Sequence, residues 1–274
     1  MRWLSRRTEV LPSPNIWYYQ QEYERENRAQ DVGGEIWRVL WEESGWAGRD
    51  VLDIGCGDGF HLPHFAGDAR SVLGVEPYEP LVRDATKRVK ALSNVEVRKG
   101  RAQRLPVDDA SVDIVHARTA YFFGPGCEPG LREAERVLRP GGTIVIVDLD
   151  VTSEPYGGWM RADLPDYDPA AVERFFTRAG FRCRRVATQW RFAYAAAMEA
   201  VLKIEFSAPV AARAIAEVRR RNGNSPGEVT LPVGYRVHTR IKPTGLVLPG
   251  HSAASPDASA VSPAPSSESS PRMP

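Results

Sequence analysis

The sequence predicts an α/β protein built on a doubly wound, mainly parallel seven-stranded sheet. Three observations carry this expectation. Short apolar runs alternate with amphipathic helical segments over roughly 150 residues, the pattern of strand–helix–strand units. A glycine-rich turn, Gly55-Cys56-Gly57-Asp58-Gly59, directly follows the first of those runs, and an acid, Glu76, directly follows the second. Residues 1–48 read as an N-terminal helical cap, 49–245 as the α/β domain with a helical insertion over 191–230, and 246–274 as a tail.

Before the first strand, Pro12 and Pro14 keep the chain extended, and a charged helix is predicted over 16–29. A second helix over 34–44 places Ile36, Trp37, Leu40 and Trp41 on one apolar face. Strands are predicted at 51–54, 71–75, 95–98, 111–117 and 143–149. Helices between them fall near 60–65, 80–92 and 128–138, the last stopped by Arg139-Pro140-Gly141-Gly142. The β-branched run 143–149 suits a strand buried on both faces. A helix over 169–179 ends at Gly180, a strand follows at 181–189, two helical stretches fill 192–205 and 210–221, and a strand at 234–241 closes the fold. Beyond Gly250 the chain is mostly Ser, Ala and Pro, which cannot bury enough surface to offset chain entropy, so disorder is expected there.

The chain has 274 residues, with 36 basic and 35 acidic side chains and a net charge of +1. That balance supplies no field to attract a polyanion, and the arginines around 182–221 are interleaved with acids and apolar residues. Nucleic acid is therefore not an expected partner. The cysteines (Cys56, Cys127, Cys183) are odd in number and widely spaced, which excludes a disulfide framework and fits a reducing compartment. Apolar runs such as 192–198 fall well short of the ~18 residues that span a bilayer. Glu9, Pro12 and Pro14 interrupt the place where an export signal would need its apolar stretch. A cytoplasmic protein without a membrane partner is expected, with monomer and homodimer both open.

Glycines between a strand and a helix permit positive φ and let the backbone approach a ligand, while the helix start offers N–H groups to a carboxylate. A dinucleotide loop would carry its third glycine at position 60, where this chain has Phe60. Asp53 lies two residues before the turn; a pyrophosphate disfavours that acid, whereas an amino acid's ammonium suits it. Glu76, about 20 residues beyond Gly55, is placed to accept from both hydroxyls of a ribose. Together these residues describe a nucleoside that carries an amino acid.

On those residues the chain resembles the class I S-adenosylmethionine-dependent methyltransferases, in their methyltransferase type 11 form. The resemblance runs from about 50 to 150 and includes Gly100-Arg101-Ala102-Gln103-Arg104-Leu105-Pro106, Asp109-Ala110-Ser111-Val112-Asp113-Ile114-Val115 and Arg136-Val137-Leu138-Arg139-Pro140-Gly141-Gly142. It implies strand order 3-2-1-4-5-7-6 with the last strand antiparallel, and S-adenosyl-L-methionine as cofactor. Asp53, Gly55, Cys56, Gly57 and Gly59 would hold the amino acid end and Glu76 the ribose. Pro77, Ala102 and Gln103 would flank the adenine, and His116 would lie near the sulfur. Many relatives have an acid where this chain has Arg101.

The acceptor side is thinly marked. His116 suits a general base or a packing role beside the cofactor, and Arg118 an anionic acceptor or an ordinary ion pair. Tyr121, Tyr18 and Tyr19 are the aromatic candidates, the last two with Trp17 as a lid or as packing. Asp148 and Asp150 are expected to face the same crevice. His61 and His64 lie three apart on one helix without a third ligand, so no metal is expected. The expected activity is methyl transfer to a small-molecule acceptor. An RNA or protein methyltransferase and a non-catalytic cofactor-binding module stay open.

Overall fold

A computed structural model describes residues 13–120 and 124–245. Trp3, Tyr121 and the tail from 246 onward lie outside the described residues.

The chain opens with α1 (Pro14–Tyr18), α2 (Gln20–Ala29) and α3 (Glu35–Ser44). Strands and helices then alternate: β1 (Asp50–Ile54), α4 (Leu62–Ala66), β2 (Ser71–Glu76), α5 (Glu79–Val89) and β3 (Val95–Lys99). They continue through β4 (Val112–Arg118), α6 (Glu128–Val137), β5 (Leu138–Leu149), α7 (Tyr156–Asp163) and α8 (Pro169–Arg178). The last elements are β6 (Arg182–Phe192), α9 (Ala195–Glu205), α10 (Ala208–Arg221) and β7 (Val229–Ile241). The seven strands form one sheet in the order β3-β2-β1-β4-β5-β7-β6. Pairing is parallel from β3 to β5, and β7 runs antiparallel to both its neighbours.

Alternation along each strand sends side chains to two cores. Val51, Val72, Ile114, Val145 and Val147 meet Ile36, Val39 and Leu40 of α3 and Leu62 and Phe65 of α4. On the opposite face, Leu52, Ile54, Val115, Ile144 and Ile146 meet Leu131 and Ala134 of α6 and Val172 and Phe176 of α8. Trp46 packs edge-on against Phe65, with ring centroids 5.2 Å apart, and Trp37 stacks on His64 at 3.6 Å. Trp37 and Trp46 thus fasten α3 and the segment after it to α4. The compact unit holding the sheet includes α1–α3 and ends at Thr244.

Several elements differ from expectation, and Pro14, expected in an extended segment, instead opens α1, where its fixed φ and missing N–H suit the first turn of a helix. The helix predicted over 16–29 is broken at Tyr19, because its halves have different supports. In α1, Ile16 lies on the glycine turn and Trp17 stacks on Tyr78 at 4.2 Å, whereas α2 docks on α9. Helix α7 was not anticipated, since Gly157 and Gly158 weaken local helix preference. It forms because Tyr156 and Trp159 are buried against Phe206, and Gly157 permits close approach: a Cβ there would lie 2.4 Å from the Val151 carbonyl. Strand β7 begins at Val229, five residues before Gly234. Its pairing with β5 stops at Tyr235, yet its pairing with β6 continues to Phe192–Val229. This hairpin therefore projects past the carboxyl edge of the parallel strands and carries α9 and α10 as a wall above it.

Ile36 is fully buried between α3 and the sheet. Ile36→Ala is expected to cost about 2–5 kcal/mol through lost burial and an unfilled cavity. Urea denaturation measures this, and a loss below about 1 kcal/mol would mean that α3 is not part of the cooperative core.

Candidate functional site

Strand order reverses at β1, whose neighbours β2 and β4 lie on either side, and ligands of such sheets bind beyond the carboxyl ends at that point. The β1–α4 turn occupies this position. Gly55, Gly57 and Gly59 have φ of +73°, +58° and +80°, which disfavour any residue with a Cβ. The N–H groups of Gly55 and Cys56 donate to the Val75 carbonyl at 2.8 and 3.2 Å. Gly57 donates to Glu76 Oε2 at 3.1 Å, Gly59 to the Cys56 carbonyl at 2.9 Å and Phe60 to Asp58 Oδ1 at 3.3 Å. This corrects one expectation: most of the turn's amides are engaged within the protein, not free for a carboxylate. The turn is instead a rigid ledge fastened to the end of β2. Cys56 is buried, and that burial, aided by Asp53 and Glu76, holds its thiol well above the usual range.

Two acids border the ledge. Asp53 and His116 are register partners on β1 and β4, and His116 Nδ1 lies 2.7 Å from Asp53 Oδ1, with both side chains buried. His116 Nε2 is sealed from solvent without a partner, beside the Phe65 ring. Glu76 is 5% exposed, and its carboxylate takes one N–H per oxygen, from Gly57 and from Tyr78 at 3.0 Å. Each oxygen therefore keeps a lone pair for a further donor. Burial raises the Glu76 pKa, against the pull of these two amides.

A cleft of about 910 Å³ opens at the ends of β2 and β3, lined by Pro77, Lys99, Gly100, Arg101, Leu105 and Pro106 among others. Ala102 and Gln103 lie within the lining segment but are not themselves part of the wall, and Arg104 N–H donates to the Arg101 carbonyl at 2.9 Å. A smaller cavity of about 330 Å³ lies at the ends of β1 and β4, between Asn27, Gln30, Asp31, Phe60, His61 and Arg118. Burial, with Arg118 and His116 nearby, pushes the His61 pKa well down, so its ring is neutral.

Tyr18 and Tyr19 are 69% and 50% exposed and are not brought to either cavity. Asp148 and Asp150, both expected to face the crevice, line neither cavity. Asp148 is fully buried opposite Arg236, on the α8 side of the sheet, with neither oxygen hydrogen-bonded. Burial raises its pKa from 3.8 to about 7. Asp150 closes a turn by accepting from Thr152 N–H at 3.0 Å and pairs with Arg185 at 3.2 Å. Among the described residues no group of three potential ligands is spaced to hold a metal ion.

Sequence reasoning missed a buried acid pair under the hairpin wall. Glu26 on α2 accepts from Gln30 Nε2 at 2.7 Å, and its other oxygen faces Glu205 on α9. Glu205 also accepts from Asn15 and, at 3.0 Å, from the Tyr156 hydroxyl. Burial, and then the Glu205 charge, hold the Glu26 pKa well above the carboxylate range, and burial raises that of Glu205 as well. A signal for this existed: Met198, Val201 and Leu202 form an apolar stripe whose next helical position is Glu205.

With this geometry in place, comparison with known proteins is direct. Residues 52–146 match the family model described as a methyltransferase domain. A demethylmenaquinone methyltransferase of Lactococcus lactis is 30% identical over 181 residues, which cover 54% of this chain and 72% of that protein. A Mycolicibacterium smegmatis protein described as a "probable S-adenosylmethionine-dependent methyltransferase" is 37% identical over 100 residues, or 36% of this chain; the chain spans only 38% of that relative's length. The crystal structure of the YcgJ protein of Bacillus subtilis shares the fold, with a TM-score of 0.54 at 20% identity, covering 78% of this chain and all of that one. The chain belongs to the class I S-adenosylmethionine-dependent methyltransferase family, whose cofactor is S-adenosyl-L-methionine. The donor set suits that cofactor: Glu76 keeps a lone pair on each oxygen for a diol, Asp53 offers a carboxylate to an ammonium, and the left-handed glycines leave the ledge without side chains.

Asp148 gives the site region a testable pH signature. Because folding raises its pKa, the native state holds the proton more tightly than the unfolded chain does. The stability it permits is therefore full below about pH 4, falls as pH rises toward 7 and is level above that. Asp148→Asn should match the wild type near pH 4 and exceed it at pH 8 by up to roughly 4 kcal/mol. Urea denaturation at the two pH values checks this, and parallel stability profiles would refute it.

Proposed function

We propose that the protein transfers a methyl group from S-adenosyl-L-methionine to a small-molecule acceptor in the cytoplasm, by in-line displacement. The observation that carries this reading is the placement of Glu76: a buried carboxylate fixed by the Gly57 and Tyr78 amides, beside a side-chain-free ledge at the reversal of strand order. When bound, the cofactor supplies an electrophilic sulfonium methyl.

The chain's own residues bind, orient and exclude water. Glu76 takes the ribose diol. Asp53 takes the ammonium and is held in place by His116 Nδ1, which makes His116 a positioning residue in this reading. Gly55, Cys56, Gly57 and Gly59 pass under the amino acid end with backbone alone, and Pro77 with the Ala102–Gln103 segment borders the adenine. Ile16 and Trp17 of α1 already lie on the ledge and on Tyr78, and a Cβ added to Gly57 would come within 2.7 Å of Ile16. In this reading α1 is the lid that admits the cofactor and then covers it. Holding donor and acceptor in line in a water-excluded site accounts for the acceleration without a metal or a covalent intermediate. The acceptor would stand under the hairpin wall, near Arg118 and the Glu26–Glu205 pair. Near-neutral charge supports a small molecule over a nucleic acid as that acceptor.

Isothermal calorimetry with S-adenosylhomocysteine tests the core of this reading. Glu76→Ala should weaken binding at least ~10-fold, as expected when a buried charge-assisted pair of hydrogen bonds is removed. Unchanged affinity in a folded variant would sink the ribose assignment.

A further inference from the structure

Arg118, at the end of β4, is a buried cation that forms no ion pair among the described residues. It is 8% exposed and lines the 330 Å³ cavity. One nitrogen, Nη2, donates to Gln30 Oε1 at 2.6 Å, and the guanidinium lies 5.4 Å over the Tyr235 ring. The other, Nη1, is sealed from solvent with no hydrogen-bond partner. Among the described residues, the acids around it are already committed. Asp31 accepts the Ile36 and Trp37 amides at the start of α3, and burial holds the Glu26 pKa well above the carboxylate range. His61, across the cavity, is neutral. A guanidinium cannot shed its proton to escape this situation, so burial leaves its charge opposed by the Asp31 carboxyl without a direct ion pair unless a further anion joins it.

We infer that this cavity is a carboxylate site, in which Arg118 holds the acid group of a molecule taking part in methyl transfer. This rests on the function proposed above. One guanidinium nitrogen without a hydrogen bond, with the Asp31 carboxyl in the wall, suits a monoanion better than a dianionic phosphate. Arg118 follows His116 by two residues on the same strand, so both side chains leave the same face of the sheet. Two molecules can bring a carboxylate here: the methyl donor, through its amino acid end, and the acceptor. The donor's carboxylate needs such a cation, because the ledge amides that would otherwise receive it are engaged with Val75, Glu76 and Cys56.

Calorimetry on the full chain separates the sources, using S-adenosylhomocysteine, methylthioadenosine (which lacks the amino acid end) and acetate added to protein saturated with S-adenosylhomocysteine. If the donor's carboxylate sits on Arg118, Arg118→Met weakens S-adenosylhomocysteine at least ~10-fold and leaves methylthioadenosine unchanged. If the acceptor's carboxylate sits there, both nucleosides bind the variant as they bind the wild type, and acetate binds the saturated wild type only. Either result supports the site. The inference is overturned if the wild type binds S-adenosylhomocysteine but the variant differs for none of the three probes. Failure of the wild type to bind S-adenosylhomocysteine overturns the methyltransferase reading itself, a different outcome.

Thermal melting supplies the control. Removing a buried charge without a direct ion pair should leave the ligand-free melting temperature equal or higher. A variant that melts lower and binds every probe normally makes Arg118 a strut for Gln30 and refutes the site. Should Arg118→Met fail to fold, the wild type still decides. Binding S-adenosylhomocysteine no more tightly than methylthioadenosine, together with no acetate binding, would refute it.

Discussion

The fastening of the β1–α4 turn to the end of β2 governs the rest of the site. Gly55 and Cys56 share the Val75 carbonyl, and Gly57 reaches the Glu76 carboxylate. These bonds set the height of the turn and the direction of the acid together, so the spacing between glycine ledge and carboxylate does not depend on any flexible side chain. They also consume donors that a helix start would otherwise present. The turn is consequently a shelf that a ligand lies on, and charge recognition is left to side chains on its borders.

Those side chains come from elements far apart in the chain. Asp53 and His116 meet because β1 and β4 are neighbours in register, although 63 residues separate them. The hairpin of β6 and β7 extends beyond the parallel strands, and α9 and α2 pack across that extension. Their meeting line buries Glu26, Glu205 and Tyr156, while Arg118 stands nearby at the end of β4. Burying ionisable groups this way costs stability unless protons or partners are shared. Burial raises the pKa of both Glu26 and Glu205, whereas Arg118 keeps its charge beside Gln30 and the Tyr235 ring. Both sides of the edge keep a buried nitrogen without a hydrogen bond, His116 Nε2 beside the ledge and Arg118 Nη1 beside the wall.

The glycine turn, Glu76 and most strands were legible because each depends on local chemistry. A left-handed turn requires glycine, a strand buried on both faces requires β-branched residues, and an acid at a strand end is visible in one dimension. Asp148 was misplaced because a single-residue step along β5 moves a side chain from one face to the other, and the sequence shows the strand but not its facing. Helix α7 was invisible because Tyr156 and Trp159 hold it by packing against a partner some 50 residues away.

By itself, the sequence determined the alternating sheet and the pattern of glycines and acids that marks the family, since both arise from backbone geometry within a few residues. Only the tertiary structure decided which ionisable groups are buried together, that α1 lies on the ledge, and that Arg118 forms no ion pair among the described residues. Charge compensation is a property of neighbours in space, and those neighbours come from strands and helices that the linear chain keeps far apart.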